Sequence, residues 1–289
     1  MLYYPTVCQT TMAEPGFTLI FLVSIIAGLF GAMTGLGGGT IIVPVLTFLG
    51  VDIKVAIAAS MVSVIATSCS SAAAYIRQGL VNLKVGMYLE MFTILGAVTG
   101  ASITLLSGQN ALFVAFGTVL IGAGIALFAK QRVSPGPATE DHRDRFSLWL
   151  GLTGGYDDRA EKRTITYYPT RAGVGGPLMI IAGMISGLLG IGAGAFKVLV
   201  QDLAMGLPTK VSTSTSNMII GVTALAGSSV YLAAGLVDPA LAVPVILGVV
   251  IGAFSGTLLL VRVTNQTVRN YFIIVVMIIG IDMVVRGFS

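Results

Sequence analysis

A glycine pattern that occurs twice constrains this chain more than any other feature. Ala27-Gly28 followed by Gly35-Leu36-Gly37-Gly38-Gly39 recurs as Ala182-Gly183 followed by Gly190-Ile191-Gly192-Ala193-Gly194. The match continues: Gly50, Lys54-Val55, Ser60, Tyr75, Gly79-Leu80-Val81, Gly96-Ala97 and Gly100 have counterparts in Gly206, Lys210-Val211, Ser216, Tyr231, Gly235-Leu236-Val237, Gly252-Ala253 and Gly256. This is a tandem duplication. Both copies lie in strongly apolar sequence, and paired hydrophobic segments interrupted by glycine at corresponding places are the sequence pointer to the binding site of a transporter.

Apolar residues make up 55% of the chain and charged ones 10%, more apolar surface than a soluble domain of this size hides in a core. The solvent for much of it is lipid. The stretches Phe17 to Thr34, Val55 to Tyr75, Val85 to Leu106, Ala111 to Ala129, Val174 to Leu189, Val211 to Leu232, Pro239 to Leu260 and Tyr271 to Val285 are mostly near bilayer-spanning length as helix. The period-two alternation of a lipid-facing barrel is absent, so the spans are expected to be helices.

Two further apolar pieces, Thr40 to Leu49 and Ala195 to Met205, directly follow the glycine clusters and are too short to cross comfortably. Each reads as half of a broken helix or the return arm of a re-entrant hairpin, allowed at membrane depth where protein or a water-filled cavity covers it. Glycines packed this densely cost roughly 1 kcal/mol each relative to alanine inside a continuous helix, so they suit a break whose N–H groups face a ligand. Gly96 to Gly100 and Gly252 to Gly256 read instead as close helix packing.

Charge sets the orientation. Take the N-terminus as outside, with each glycine-broken pair beginning and ending on one side. Arg77, Lys84, the basic residues of the linker from Lys130 to Arg171, Lys210, Arg262 and Arg269 then all fall inside. Only Lys54 and Arg286 remain outside, with Lys197 in the membrane. Each half crosses an odd number of times, so the second copy is inverted relative to the first. The expected fold is an all-α integral membrane protein of two inverted-topology repeats, each with a glycine-broken short helix or re-entrant hairpin plus about three spanning helices. The first repeat covers residues 1–130, a charged cytoplasmic linker 131–172, and the second repeat 173–289. Within the linker, Phe146 to Leu150 reads as a short interfacial helix with Trp149 at headgroup depth, the rest as a mobile tether. The first sixteen residues carry Glu14 and no Lys or Arg, unlike a secretory signal, so the first apolar segment is expected to be retained.

Catalytic chemistry finds little support. His142, the sole histidine, sits in the linker, and no HExxH, GxSxG or phosphate-loop pattern occurs. No cofactor or metal is expected, and the basic balance reports membrane orientation, not nucleic-acid binding. Cys8 and Cys69 form no ligand spacing.

Lys197 is the sharpest single residue. It stands where the first copy has Ile42, an asymmetric cation whose burial costs at least about 2.5 kcal/mol, and intramembrane charges are functional by default. The structural alternatives are an ion pair with Asp202 or snorkelling. Ser212-Thr213-Ser214-Thr215-Ser216-Asn217 opens the following segment, and hydroxyls and an amide at a helix N-terminus near a lysine suit an oxyanion. The competing reading is that these hydroxyls bond back to their own helix. Glu90, whose counterpart is Ile246, reads either as a proton-coupling carboxylate or as a partner of Lys84 or Arg77; Asp202 reads either as a coupling carboxylate or as the ion-pair partner of Lys197. Asp282 and Arg286, one turn apart, form an expected interfacial pair. The substrate-contact candidates are Gly37, Gly38, Gly39, Thr40, Ser60, Gly192, Gly194, Lys197, Ser212, Ser214, Ser216 and Asn217, with Glu90 and Asp202 as coupling candidates.

Gly28-Leu29-Phe30-Gly31 through Gly35 to Pro44, followed by Ala58-Ala59-Ser60, resembles the amino-terminal motif of the TauE/SafE family of sulfite exporters and sulfonate transporters. The second copy, Gly187 to Gly194 with Lys197-Val198, Asp202 to Met205 and Thr215 to Thr223, resembles a bacterial and archaeal branch of that family. The resemblance implies a multi-pass plasma-membrane carrier for a small sulfur-containing anion such as sulfite, thiosulfate, sulfoacetate or another sulfonate, working by alternating access, with a proton as a conceivable coupling ion. An anion channel, or a membrane sensor or anchor acting through the linker, is the alternative. Two departures bear on the hairpins: Leu199 replaces Pro44, and Ala193 replaces a glycine, so the two need not bend alike.

Overall fold

A computed structural model describes residues 16–34, 37–77, 79–132, 145–158, 163–260 and 265–288. The N-terminal tail with Cys8, Gly35 and Leu36 of the first glycine cluster, His142 and Arg262 lie outside the described residues. The chain is helical nearly throughout: α1 (Phe17–Thr34), α2 (Gly39–Phe48), α3 (Ile53–Arg77), α4 (Leu83–Leu106) and α5 (Gln109–Arg132) form the first half. After α6 (Arg145–Trp149), β1 (Gly154–Asp158) and β2 (Arg163–Tyr167) come α7 (Ala172–Leu189), α8 (Gly194–Leu199), a π-helical turn (Val200–Ala204), α9 (Thr209–Ala233), α10 (Pro239–Leu260) and α11 (Asn265–Phe288). Among the described residues, α3, α4, α5, α7, α9 and α10 each contain a stretch long and apolar enough to span a membrane.

Both glycine-broken pairs are hairpins. Gly38 lies beside Ala27 and Gly31, while Ile42, Leu46 and Leu49 line one groove with Ser24 and Ile20, so α2 returns antiparallel along α1. In the second copy α7 runs from Ala172 to the break, and the π-turn brings the chain back until the Thr170 amide donates to the Met205 carbonyl at 2.9 Å. The return arms differ, as Pro44 and Leu199 foreshadow. The first is one helix with Pro44 inside it, while the second widens into a π-turn one residue after Leu199.

The repeat in sequence reappears in the packing. The helix pairs α1 with α10 and α4 with α7 lie side by side, and each joins one element of the first half to one of the second. Their contacts correspond residue by residue. Gly252 abuts the Ile25 carbonyl as Gly96 abuts that of Ile180; Gly256 meets Leu29 as Gly100 meets Met184; Gly28 rests on Val249 as Gly183 rests on Thr93. Small residues allow backbone-to-backbone approach, and in lipid, where apolar burial drives little helix association, such contact supplies the attraction. Two further pairings, α3 with α9 and α5 with α11, each join an element to its own counterpart, and α4 with α9 is matched by α10 with α3.

The two ends of the bundle differ in charge. At one end Asn82 caps α4 by accepting from the Val85 amide at 3.1 Å. Its Nδ2 donates to the Leu152 carbonyl at 3.1 Å and to the Tyr167 hydroxyl at 3.0 Å, and its own N–H donates to Thr215 Oγ1 at 3.1 Å. Arg77, Lys84, Arg171 and Lys210 gather at this end. At the other end Lys54 Nζ donates to the Leu105 carbonyl at 3.0 Å, and Arg286 pairs with Asp282 at 2.8 Å and lies over the Phe48 ring.

The described part of the linker is not a tether. The antiparallel β1–β2 ribbon places Tyr156 and Tyr167 with Leu152 in a core shared with Val85, Leu89, Met205 and Val211. Burial pushes the Tyr167 phenol above its usual range, and the Asn82 amide that donates to it pulls the other way. Thr164 to Tyr167 is β-branched or aromatic at every position, the local signal that the charged surroundings mask in the sequence. Trp149, at the end of the short helix α6, is 80% exposed.

Candidate functional site

The two glycine breaks meet inside the bundle. Ser60 Oγ on α3 donates to the Gly190 carbonyl at 2.7 Å, Gly39 packs on Gly190 and Ser60, and Gly37 lies beside Val64 and Ile191. Gly37 and Gly192 take φ of +75° and +73°, and Gly38, Thr40 and Gly194 are buried beside them. Thr40 Oγ1 turns back toward the Gly37 carbonyl at 3.5 Å. Ala193 is the anomaly: it adopts φ 47° and ψ 30°, where a Cβ costs roughly 1–2 kcal/mol. Ala193→Gly is therefore expected to stabilise the protein by about 1 kcal/mol. A higher thermal midpoint in detergent checks this, and an unchanged or lower midpoint contradicts it.

Behind the second break lies a buried charged cluster. Lys197 on α8 has no exposed surface; its Nζ donates to Thr223 Oγ1 on α9 and lies 3.9 Å from Glu90 Oε2 on α4. Thr223 Oγ1 is 2.6 Å from Glu90 Oε1, and Thr93 Oγ1 donates to Glu90 Oε2 at 2.8 Å. A hydroxyl has one proton. Thr223 accepts from the ammonium and passes its own proton toward the carboxylate, so Lys197, Thr223, Glu90 and Thr93 form one polarised chain across three helices. Burying two ions costs several kcal/mol each, and only mutual attraction together with these hydroxyls offsets it.

This geometry corrects two sequence readings. The ion pair of Lys197 is with Glu90 and not the local one suggested with Asp202; Asp202 Oδ2 accepts from Thr209 at 3.1 Å. Glu90 turns inward to Lys197 instead of toward Lys84 or Arg77 at the interface. Nothing in the sequence marks Thr93 and Thr223 as partners of Glu90, because a threonine in an apolar helix usually bonds to its own backbone, and each has such a carbonyl within reach. The spacing Glu90-x-x-Thr93 was the available signal.

The cluster has no counterpart in the other half. Ile42, Ile246 and Thr67 occupy the positions equivalent to Lys197, Glu90 and Thr223, and Thr67 merely donates to the Ser63 carbonyl at 3.0 Å.

The polar run divides. Ser212 and Ser214 bond back to the carbonyls of Pro208 and Lys210 at 3.3 and 2.8 Å. Thr215 holds Asn82. Ser216 Oγ and Asn217 Nδ2 are buried without a protein hydrogen-bond partner, as are Ser186 Oγ and both amide atoms of Gln201 in the π-turn. An unsatisfied buried polar group costs about 1–3 kcal/mol, and such groups in a native fold mark strain, water or a ligand. Gln201 was missed in sequence because a single neutral amide carries no periodic or charge signal. Among the described residues no group of three or more His, Cys, Asp or Glu could hold a metal ion.

The sequence profile described as sulfite exporter TauE/SafE matches residues 20–283. "Probable membrane transporter protein YunE" of Bacillus subtilis is 29% identical over 279 residues, covering 94% of this chain and 98% of the relative. A "Probable membrane transporter protein" of Xylella fastidiosa is 26% identical over 91% of this chain and 94% of its own length. "Probable membrane transporter protein MJ0441" of Methanocaldococcus jannaschii is 25% identical, covering 75% and 72% respectively. No solved structure shows a significant match. With a profile match over nearly the whole chain, spanning helices, and charge buried beside broken helices, this multi-pass membrane protein belongs to the TauE/SafE sulfite exporter family of membrane transporters.

Proposed function

We propose that this chain is a secondary carrier that moves a small sulfur-containing anion, an organosulfonate or sulfite-like oxyanion, across the plasma membrane by alternating access. The observation that carries the reading is Lys197: a fully buried cation beside converging helix breaks, with buried hydroxyl and amide groups on the neighbouring α9 and π-turn. An oxyanion that leaves water must recover several hydrogen bonds, and one ammonium with neutral donors meets that need. Lys197 has no exposed surface in this conformation, which suits a carrier in a closed state.

The halves are read as an inverted repeat. Reciprocal pairing of α1 with α10 and α4 with α7 supports it, as do hairpins that open toward opposite ends of the bundle. The concentration of Arg77, Lys84, Arg171 and Lys210 at the linker end supports a cytoplasmic linker with both termini outside. Thr153 is exposed in that linker. In a variant with both native cysteines replaced by serine, Thr153→Cys is expected to resist an impermeant thiol reagent in intact cells and to react after lysis. Equal labelling before lysis would reverse the orientation.

The test of function is counterflow. Purified protein in liposomes preloaded with unlabelled sulfite, sulfoacetate or isethionate should take up the radiolabelled form transiently and with saturation. Linear flux without counterflow indicates a channel, and no flux of any of the three overturns the substrate class.

A further inference from the structure

The charged cluster does more than hold a cation for cargo, because in this conformation that cation already has an anion. Lys197 and Glu90 are 3.9 Å apart, 0% and 8% exposed at their side chains, with Thr223 between them. The pair is neutral as a unit. An oxyanion that engages Lys197 adds a negative charge next to the Glu90 carboxylate at a place water does not reach, and like charges this close and this buried repel strongly. One of the two must be neutralised. A sulfonate keeps its charge throughout the physiological range, whereas a carboxylate accepts a proton.

We propose that Glu90 is the coupling residue of this carrier: an oxyanion displaces the Glu90 carboxylate from Lys197, and Glu90 takes a proton from the same side in the same step. This rests on the sulfur-oxyanion reading above and adds the driving ion. The balance is simple. Before loading, the site holds one ammonium and one carboxylate; after loading by a monoanion it holds one ammonium, one carboxylic acid and one sulfonate, and it is neutral in both states. The proton forms an O–H bond on a Glu90 oxygen, travels with the anion, and returns to water when the anion leaves. Glu90 and Lys197 then pair again and the empty carrier recloses. A monoanion moves with one proton, without net charge transfer.

The surroundings leave Glu90 as the group suited to this. Of the elements packed on α4, α7 carries no ionisable side chain, α9 carries Lys210 in its exposed first turn and Tyr231 toward its far end, and the β-ribbon brings Tyr156 and Tyr167 against Val85 and Leu89. Lys197 comes from α8, and Asp202 of the π-turn beside α7 and α9 is engaged by Thr209. On α4 itself Lys84 lies at the exposed start, and the Tyr88 hydroxyl donates to the Ala172 carbonyl. Two features favour exchange over a permanent brace. Thr223 can keep accepting from Lys197 while its own proton moves from Glu90 to the Ile219 carbonyl 3.0 Å away, so the hydroxyl is not stranded when the carboxylate is protonated. The equivalent positions of the other half, Ile42, Ile246 and Thr67, carry no charge, and there α10 and α2 pack on α3 as α4 and α8 pack on α9, so the fold does not require the pair.

The test uses isethionate, a sulfonate monoanion with no group titrating near neutrality. Wild-type proteoliposomes with acid outside should accumulate it above equilibrium, and an imposed membrane potential should leave the initial rate unchanged. Glu90→Gln, fixed in the neutral form, should keep isethionate exchange while losing accumulation driven by the pH gradient. Wild-type exchange indifferent to the pH gradient, or undiminished gradient-driven accumulation by Glu90→Gln, overturns the coupling role while leaving the carrier reading intact. Wild type that neither exchanges nor binds isethionate removes this monoanion as cargo and the coupling with it; if sulfite and sulfoacetate also fail, the substrate class falls too. A second measurement does not depend on the variant folding: binding of isethionate to wild type in weakly buffered detergent should take up close to one proton per anion. Binding without proton uptake overturns the proposal.

Discussion

Lys197→Met is expected to weaken binding of a sulfonate or sulfite by about tenfold to more than a hundredfold, the roughly 1.5–3 kcal/mol of a charge-assisted hydrogen bond. The same change leaves Glu90 buried without its cation, a loss of about 3–5 kcal/mol when one partner of a buried pair is removed. The single variant therefore confounds binding with folding. Lys197→Met combined with Glu90→Gln separates them: the double variant should regain thermal stability while its binding stays weakened, because its site holds no positive charge. Titration calorimetry with a sulfonate, run beside thermal unfolding in detergent, reads both quantities. Lys197→Arg keeps the charge but presents a planar fork that does not fit the same hydroxyls, so partial binding with altered anion preference is expected. If the double variant transports like wild type, Lys197 and Glu90 are scaffold, and the substrate site lies elsewhere.

Most of the architecture was legible in the sequence because membrane helices announce themselves. Apolar length specifies α3, α4, α9 and α10 to within a few residues, and glycine density marks both hairpin turns. The family was legible too, from glycines and their neighbours recurring in order. What could not be read was which polar side chains meet. Lys197 and Glu90 are 107 positions apart and come from different halves, as their numbers in the sequence show. They touch because α4 packs against α7 and α9 of the second half instead of against its own hairpin, a pairing that no local pattern encodes. Asp202, five positions from Lys197, was the natural local guess, and the π-turn carries it to Thr209 instead. The hydroxyls divided in the same way. Ser212 and Ser214 satisfy their own helix, which residue type allows one to anticipate, but the orphaned Ser216 and Asn217 depend on what the facing elements offer. The β-ribbon of the linker was obscured because five-residue strands among charges look like coil.

Alanine at Gly100 or Gly187 should be among the most damaging of the small substitutions in this protein. A methyl at Gly100 would be driven into the Met184 carbonyl, and one at Gly187 into that of Ala97; both obstacles are backbone on the facing helix. A flexible side chain could step aside, whereas here α4 and α7 must separate along the seam, and that also breaks the contacts of Gly96 and Gly183. Overpacking costs about 1–3 kcal/mol when side chains can adjust, so the loss should reach the upper end of that range or exceed it. Gly122 on α5 serves as the control: nothing lies within 4 Å of its position, so Gly122→Ala should gain roughly 0.5–1 kcal/mol from helix propensity alone. The duplication sharpens the test. Gly96 and Gly252 face the carbonyls of Ile180 and Ile25, which are themselves counterparts, so alanine at either should lower the thermal midpoint and the monodisperse yield by similar amounts. Pairs across one seam, such as Gly100→Ala with Gly187→Ala, should cost less than the sum of the singles, because the first methyl already pays the separation; pairs on different seams should add. A severe loss at Gly96 beside a neutral outcome at Gly252 would show that the matched contacts are not matched in energy, and the two-fold reading of the packing would fall with them.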